Sequence, residues 1–79
     1  MKNHSIMASL VIGQIIKERR KELRITQPDL AELADVSLNT IYKLERGQSN
    51  PSIEILTKLA DVLGMEVKLE VRNMGFLSY

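Results

Sequence analysis

The four residues Ala34-Asp35-Val36-Ser37 constrain this 79-residue chain more than any other stretch. They join two short apolar-patterned segments, so the join must be a tight turn. Aspartate tolerates a left-handed backbone better than most non-glycine residues, and Asp35 can therefore end one helix abruptly. Val36 is the apolar pin inside the turn, and Ser37 has the side chain to cap the next helix. Upstream, Thr26 can accept from the amide of Asp29, and Asp29 suits the positive end of a helix dipole. Pro28 is harmless there because first-turn amides lack intrahelical partners. The pattern predicts short helices from Gln27 to about Ala34 and from Leu38 to about Glu45. They cross at the small Ala31 and form a helix-turn-helix in the physical sense. Ile41 and Leu44 face inward on the second helix, which leaves Leu38, Asn39, Tyr42 and Lys43 pointing out.

The flanking segments complete one mainly α-helical domain over residues 9–64. From Ser9, read as an N-cap, Ile12, Ile15, Ile16 and Leu23 recur at helical spacing until about Leu23 or Arg24. Residues 1–8 read as a flexible N-terminal tail. Gly47 stops the third helix, and Gln48 to Pro51 is a turn-rich loop. A fourth helix spans about Ser52 to Leu63, with Ile55, Leu56, Leu59, Ala60 and Leu63 inward, and Gly64 ends it. The period then changes. Met65, Val67, Leu69 and Val71 alternate with Glu66, Lys68, Glu70 and Arg72, the two-residue repeat of a strand with one buried face. Residues 73–79 show no period and read as a C-terminal tail.

Composition narrows the function classes. A chain this short supports one core, and the absence of cysteine removes disulfides and thiolate metal sites as supports. Self-association is the remaining cheap route to stability. The lone His4 lies in the expected tail, so no metal cluster or histidine-based triad is expected, and the isolated glycines build no phosphate loop. No cofactor is implied. Without a membrane-length apolar run or a signal peptide, a cytoplasmic location is expected. The net charge of +1 says little, but Lys17, Arg19, Arg20, Lys21 and Arg24 cluster in one stretch. Such a patch either binds phosphate or forms a solvated helix face.

The residues Ile12-Gly13, Arg20, Thr26-Gln27, Leu30-Ala31, Val36-Ser37, Thr40-Ile41, Leu44-Glu45, Gly47 and Pro51 together resemble the phage-repressor/Cro (XRE) type of helix-turn-helix family. The match covers roughly residues 10–64. Two positions depart from it: Arg24 and Asp35 stand where the family often has glycine. The resemblance implies a four- or five-helix domain whose third helix enters the major groove of double-stranded DNA. Asn39 then suits the N6/N7 edge of adenine, Ser37 and Lys43 reach bases or phosphates, Leu38 meets a thymine methyl, and Tyr42 offers a ring and a hydroxyl. Gln27, like the matching family residue, belongs against a phosphate, with Arg46, Gln48 and Ser49 flanking the backbone. Arg20 matches the family arginine that pairs with the residue at Glu45, a structural ion pair rather than a phosphate contact.

Two functions fit these features. One is a sequence-specific repressor binding a pseudo-palindromic operator as a homodimer. The other is an antitoxin and autorepressor, because a helix-turn-helix domain followed by a terminal strand resembles HipB-like antitoxins, whose partner is a toxin protein. An enzyme such as a nuclease would need a carboxylate cluster that the chain lacks. The terminal strand is expected to pair with its own copy across a two-fold axis, since it has no second strand in the chain. Charge selects the register. Centring on Leu69 sets Glu66 opposite Arg72 and Lys68 opposite Glu70, whereas centring on Lys68 or Glu70 opposes like charges. Met65, Val67, Leu69 and Val71 would then cover the helices.

Overall fold

A computed structural model describes residues 2–71, with side chains from Met7 onward. Four helices follow in order: α1 (Lys2–Glu22), α2 (Gln27–Ala34), α3 (Leu38–Glu45) and α4 (Ile53–Leu63). Three of them start the same way. The side chains of Thr26, Ser37 and Ser52 accept hydrogen bonds from the amides of Asp29, Thr40 and Ile55 at 3.1 Å each. Each satisfies one of the amides that the first turn leaves without a partner.

All four helices also stop by one device. A residue in the left-handed region follows each: Arg24 (φ 59°), Asp35 (φ 57°), Gly47 (φ 71°) and Gly64 (φ 69°). The amide of the next residue then reaches back five positions, Ile25 to Arg20, Val36 to Ala31, Gln48 to Lys43 and Met65 to Ala60, at 2.8–3.1 Å. This is the Schellman ending, in which the residue after the reversal often adds an apolar contact. Ile25, Val36 and Met65 do so, packing on the core. Arg19 adds a side-chain cap, donating from Nε to the Leu63 carbonyl at 2.8 Å across the α1–α4 contact.

The core sits where the helices meet. Leu30, Ile41, Leu44, Leu59 and Leu63 are fully enclosed, with Ile16, Ala31, Ala34 and Ala60 buried around them. Gly13 marks the closest approach, since a β-carbon there would collide with the Leu44 carbonyl oxygen. Hence α1 and α3 touch backbone to backbone, and α3 has a fixed seat.

Several sequence expectations need correction. The first helix begins at Lys2 rather than after a capping Ser9, so the stretch expected as a tail is largely helical. Residues 2–8 contain no glycine or proline, and extending an existing helix avoids the cost of nucleation. Ser9 is instead buried within α1 and donates from Oγ to Asn50 Oδ1 at 2.6 Å. Of the four apolar residues at helical spacing, Ile15 and Leu23 are exposed, because the contact stripe of α1 runs through Ile12 and Ile16.

Among the described residues there is no strand. Residues 65–71 have no regular hydrogen bonding, since a strand needs a neighbour and the described residues supply none. Of the four apolar residues expected to cover the helices, only Met65 packs on the core; Leu69 and Val71 are essentially fully exposed. Arg72, the expected partner of Glu66, and the tail 73–79 lie outside the described residues.

Candidate nucleic-acid interface

The site is built on α3. Ile41 and Leu44 hold it in the core, and the helical period turns Leu38, Asn39, Tyr42 and Lys43 to solvent. A shallow depression separates this face from the start of α2, lined by Gln27, Pro28, Leu38, Asn39 and Tyr42. The structure therefore gathers four of the five expected base-contact residues on one surface, with Gln27 beside them. Ser37, the fifth, stands at the head of α3. Its oxygen takes the Thr40 amide and shares a 2.7 Å bond with the Thr40 hydroxyl, so its first duty is the cap.

The other end of α3 is clamped. Arg20 donates from Nε to Glu45 Oε2 at 2.7 Å and from Nη2 to Oε1 at 3.0 Å, a bidentate pair. Its Nη1 donates to the Ile25 carbonyl at 2.8 Å. The two side chains are 10% and 2% exposed, so water competes little for these bonds. Gln27 adds a third donor, Nε2 to Glu45 Oε1 at 2.9 Å. One carboxylate thus ties the end of α1, the start of α2 and the end of α3 together. Gln27 was expected against phosphate alone. Its side-chain amide is already engaged with Glu45, and its backbone N–H, at the first position of α2, has no partner within the helix.

Arg46, expected beside a phosphate, lies over the Tyr42 ring with its guanidinium carbon 4.9 Å from the centroid, and Nη1 donates to the hydroxyl at 2.6 Å. The pair stiffens the outer edge of α3 and holds positive charge there. Gln48 and Ser49 follow on the same loop, with Gln48 exposed and Ser49 half-buried. Sequence reasoning missed the Tyr42–Arg46 stack, although an aromatic and an arginine four apart on a helix are a readable signal.

This arrangement matches a known one. The helix-turn-helix family HTH_3 aligns with residues 16–69. The chain belongs to this helix-turn-helix family. Relatives include an uncharacterized HTH-type transcriptional regulator of Methanothermobacter thermautotrophicus, 44% identical over 52 residues, which are 66% of this chain and 75% of that protein. The immunity repressor protein of Bacillus phage phi105 is 41% identical over 58 residues, 73% of this chain and 40% of the repressor. A putative HTH-type regulatory protein of Methanococcus maripaludis is 41% identical over 67 residues, 85% of this chain but 20% of that protein. The chain thus spans less than half the length of the phage repressor and of the Methanococcus protein, and three quarters of the Methanothermobacter one. Among solved structures, the restriction-modification controller protein C.AhdI of Aeromonas hydrophila superposes with a TM-score of 0.73 at 32% identity, covering 76% of this chain and 91% of that one. No described helix is long and apolar enough to cross a membrane.

Proposed function

We propose that this helix-turn-helix chain is a sequence-specific DNA-binding transcriptional regulator, a repressor that grips a pseudo-palindromic operator as a homodimer. The observation that carries it is the division of α3: Ile41 and Leu44 enclosed, Leu38, Asn39, Tyr42 and Lys43 open, and the helix clamped through Glu45. A rigid helix with an open polar face fits the major groove, and Asn39 near its start has the paired donor and acceptor that adenine requires. The Gln27 backbone N–H and Arg46 flank it as phosphate contacts, and Gln48, Ser49, Ser37 and Lys43 extend the footprint. The names of the relatives, regulators and a phage repressor, support this reading.

The dimer would form through residues 65–72, paired across a two-fold axis centred on Leu69. Lys68 Nζ lies 3.8 Å from Glu66 Oε1 and 3.6 Å from Glu70 Oε1, so these alternate side chains share a side, as in a strand. Leu69 and Val71 stand open to solvent, available to a second copy. An autorepressing antitoxin would be the same DNA-binding chain with a toxin bound as well, and a second protein that co-purifies with it from its native host would favour that role.

Selection of bound sequences from random DNA tests the proposal. Two half-sites related by a two-fold axis and spaced by about one helical turn, roughly 10 base pairs, are expected. Binding without sequence preference would refute it.

A further inference from the structure

The open face of α3 is made of two rows, because side chains four apart on a helix stand one above the other. Leu38, Tyr42 and Arg46 form one row, and Asn39 and Lys43 form the other. The rows look to different sides. Tyr42 lines the depression it shares with Gln27 and Pro28 at the start of α2, whereas Lys43 is not among its walls. A helix with its side chains is about 10–12 Å across and the major groove about 12 Å wide, so the flanks of the helix meet the sugar–phosphate walls. In a helix-turn-helix the first helix crosses the backbone, and base edges are met by the first residues of the second. Tyr42 stands a turn past that start and on the α2 side. Its place is a backbone place.

Arg46 sharpens this placement. Its guanidinium carbon lies 4.9 Å from the centroid of the Tyr42 ring, and Nη1 donates to the Tyr42 hydroxyl at 2.6 Å. A phenol has one proton to donate and lone pairs to accept with. Arg46 takes a lone pair, so the Tyr42 proton is left for a third group, and the charged donor polarises the hydroxyl that gives it. Among the described residues no carboxylate pairs with Arg46, whose other N–H groups stay open. Two adjacent donors, one of them cationic, suit an anionic oxygen.

We propose that Tyr42 and Arg46 act as one clamp on a single DNA backbone phosphate. The Tyr42 hydroxyl donates to the phosphate while its ring holds Arg46 against the same group. Base reading is left to the first turn of α3, Asn39 foremost, and Tyr42 sets affinity rather than sequence preference. This rests on the DNA-binding reading above and gives Tyr42 a part that reading does not assign.

Anisotropy titrations of the full chain over a salt series, with an operator obtained by selection and a scrambled duplex, test the clamp. Tyr42 is exposed, so Tyr42→Ala should fold with a urea midpoint close to that of the parent. It should bind both duplexes about tenfold more weakly. Although it removes no charge, it should also shrink the slope of log affinity against log salt by about 1, because Arg46 loses its seat. Arg46→Ala should do the same, and the double variant should lose little beyond either single one. Tyr42→Phe keeps the ring, so its slope should match the parent's while affinity falls about threefold. Preference at every base position should survive in all of them. Relaxed preference at one base pair with an unchanged slope would make Tyr42 a base reader. Losses that multiply in the double variant would make the two residues independent. Either result, or a Tyr42→Ala variant that binds like the parent, overturns the clamp. A parent that binds both duplexes equally refutes the repressor reading, and the slopes still judge the clamp; a parent that binds neither refutes both.

Discussion

Arg20 and Glu45, 25 residues apart in the chain, meet in a bidentate pair of 2.7 and 3.0 Å within the domain. The pair fastens α1 to the end of α3, so it fixes the angle at which the open face of α3 is presented.

Removing one member strands the other. For a buried pair the loss is about 3–5 kcal/mol. Arg20→Ala should therefore unfold at much lower urea, and Arg20→Ala combined with Glu45→Ala should recover part of the loss. Arg20→Lys should recover little, because a point charge cannot reproduce the two-pronged contact. A double-mutant cycle in urea checks this, and simple additivity would show that the two residues act independently.

Arg24 adopts a left-handed backbone that costs a residue with a β-carbon about 1–2 kcal/mol, while glycine adds unfolded-state entropy of about 0.5–1 kcal/mol. Arg24→Gly should accordingly raise stability by about 0.5–1 kcal/mol. Asp35→Gly should gain less, since aspartate tolerates this conformation better. Urea midpoints at unchanged slope would reveal the order of the two variants.

Gly13 sits against the Leu44 carbonyl, and a β-carbon there has nowhere to go. Gly13→Ala should push α1 from α3 and destabilise by about 1–3 kcal/mol, despite alanine's better helix propensity. A variant as stable as the parent would mean that the helices separate freely.

Much of this fold is written in short-range chemistry. Thr26, Ser37 and Ser52 read as helix starts, and Asp35, Gly47 and Gly64 as stops, because capping depends on residues a few positions apart. The two faces of α3 followed from helical period alone. The length of α1 did not, because no breaker precedes Ser9 and nothing local says where a helix should begin. Nor did the orientation of α1. Ile15 and Ile16 are adjacent and equally apolar, and only the position of α4 and the closeness at Gly13 decides which is buried. The Glu45 cluster was reached through resemblance for Arg20, yet Gln27 as its third donor depends on how α2 docks, a tertiary fact invisible in the sequence. The terminal alternation is the reverse case. The period is plain, but the described residues offer it no hydrogen-bond partner.

Arg46 and Gln27 should separate charge from geometry. Arg46→Ala removes a positive group from the edge of α3, so the slope of log affinity against log salt should shrink by about 1 for each phosphate touched, with sequence preference retained. Gln27→Ala changes no charge. The backbone N–H remains, so Gln27→Ala should keep the salt slope and lower stability, since Glu45 loses a donor, and it should weaken binding to all sequences only through the loosened seat of α2 and α3. Fluorescence anisotropy across a salt series reads both, and an unchanged slope for Arg46→Ala would place that residue away from DNA.

The central claim is that the open face of α3 reads bases, and Asn39 tests it most directly. Affinities of the protein and of Asn39→Ala should be measured against the selected operator and every single-base change within one half-site. Because a paired amide–adenine contact is worth about 1–3 kcal/mol of discrimination, the variant should lose preference at one adenine per half-site and keep it elsewhere, with non-specific binding unchanged. An equal loss of affinity for every sequence, with preference at all positions intact, would show that Asn39 touches only the backbone and would contradict the claim.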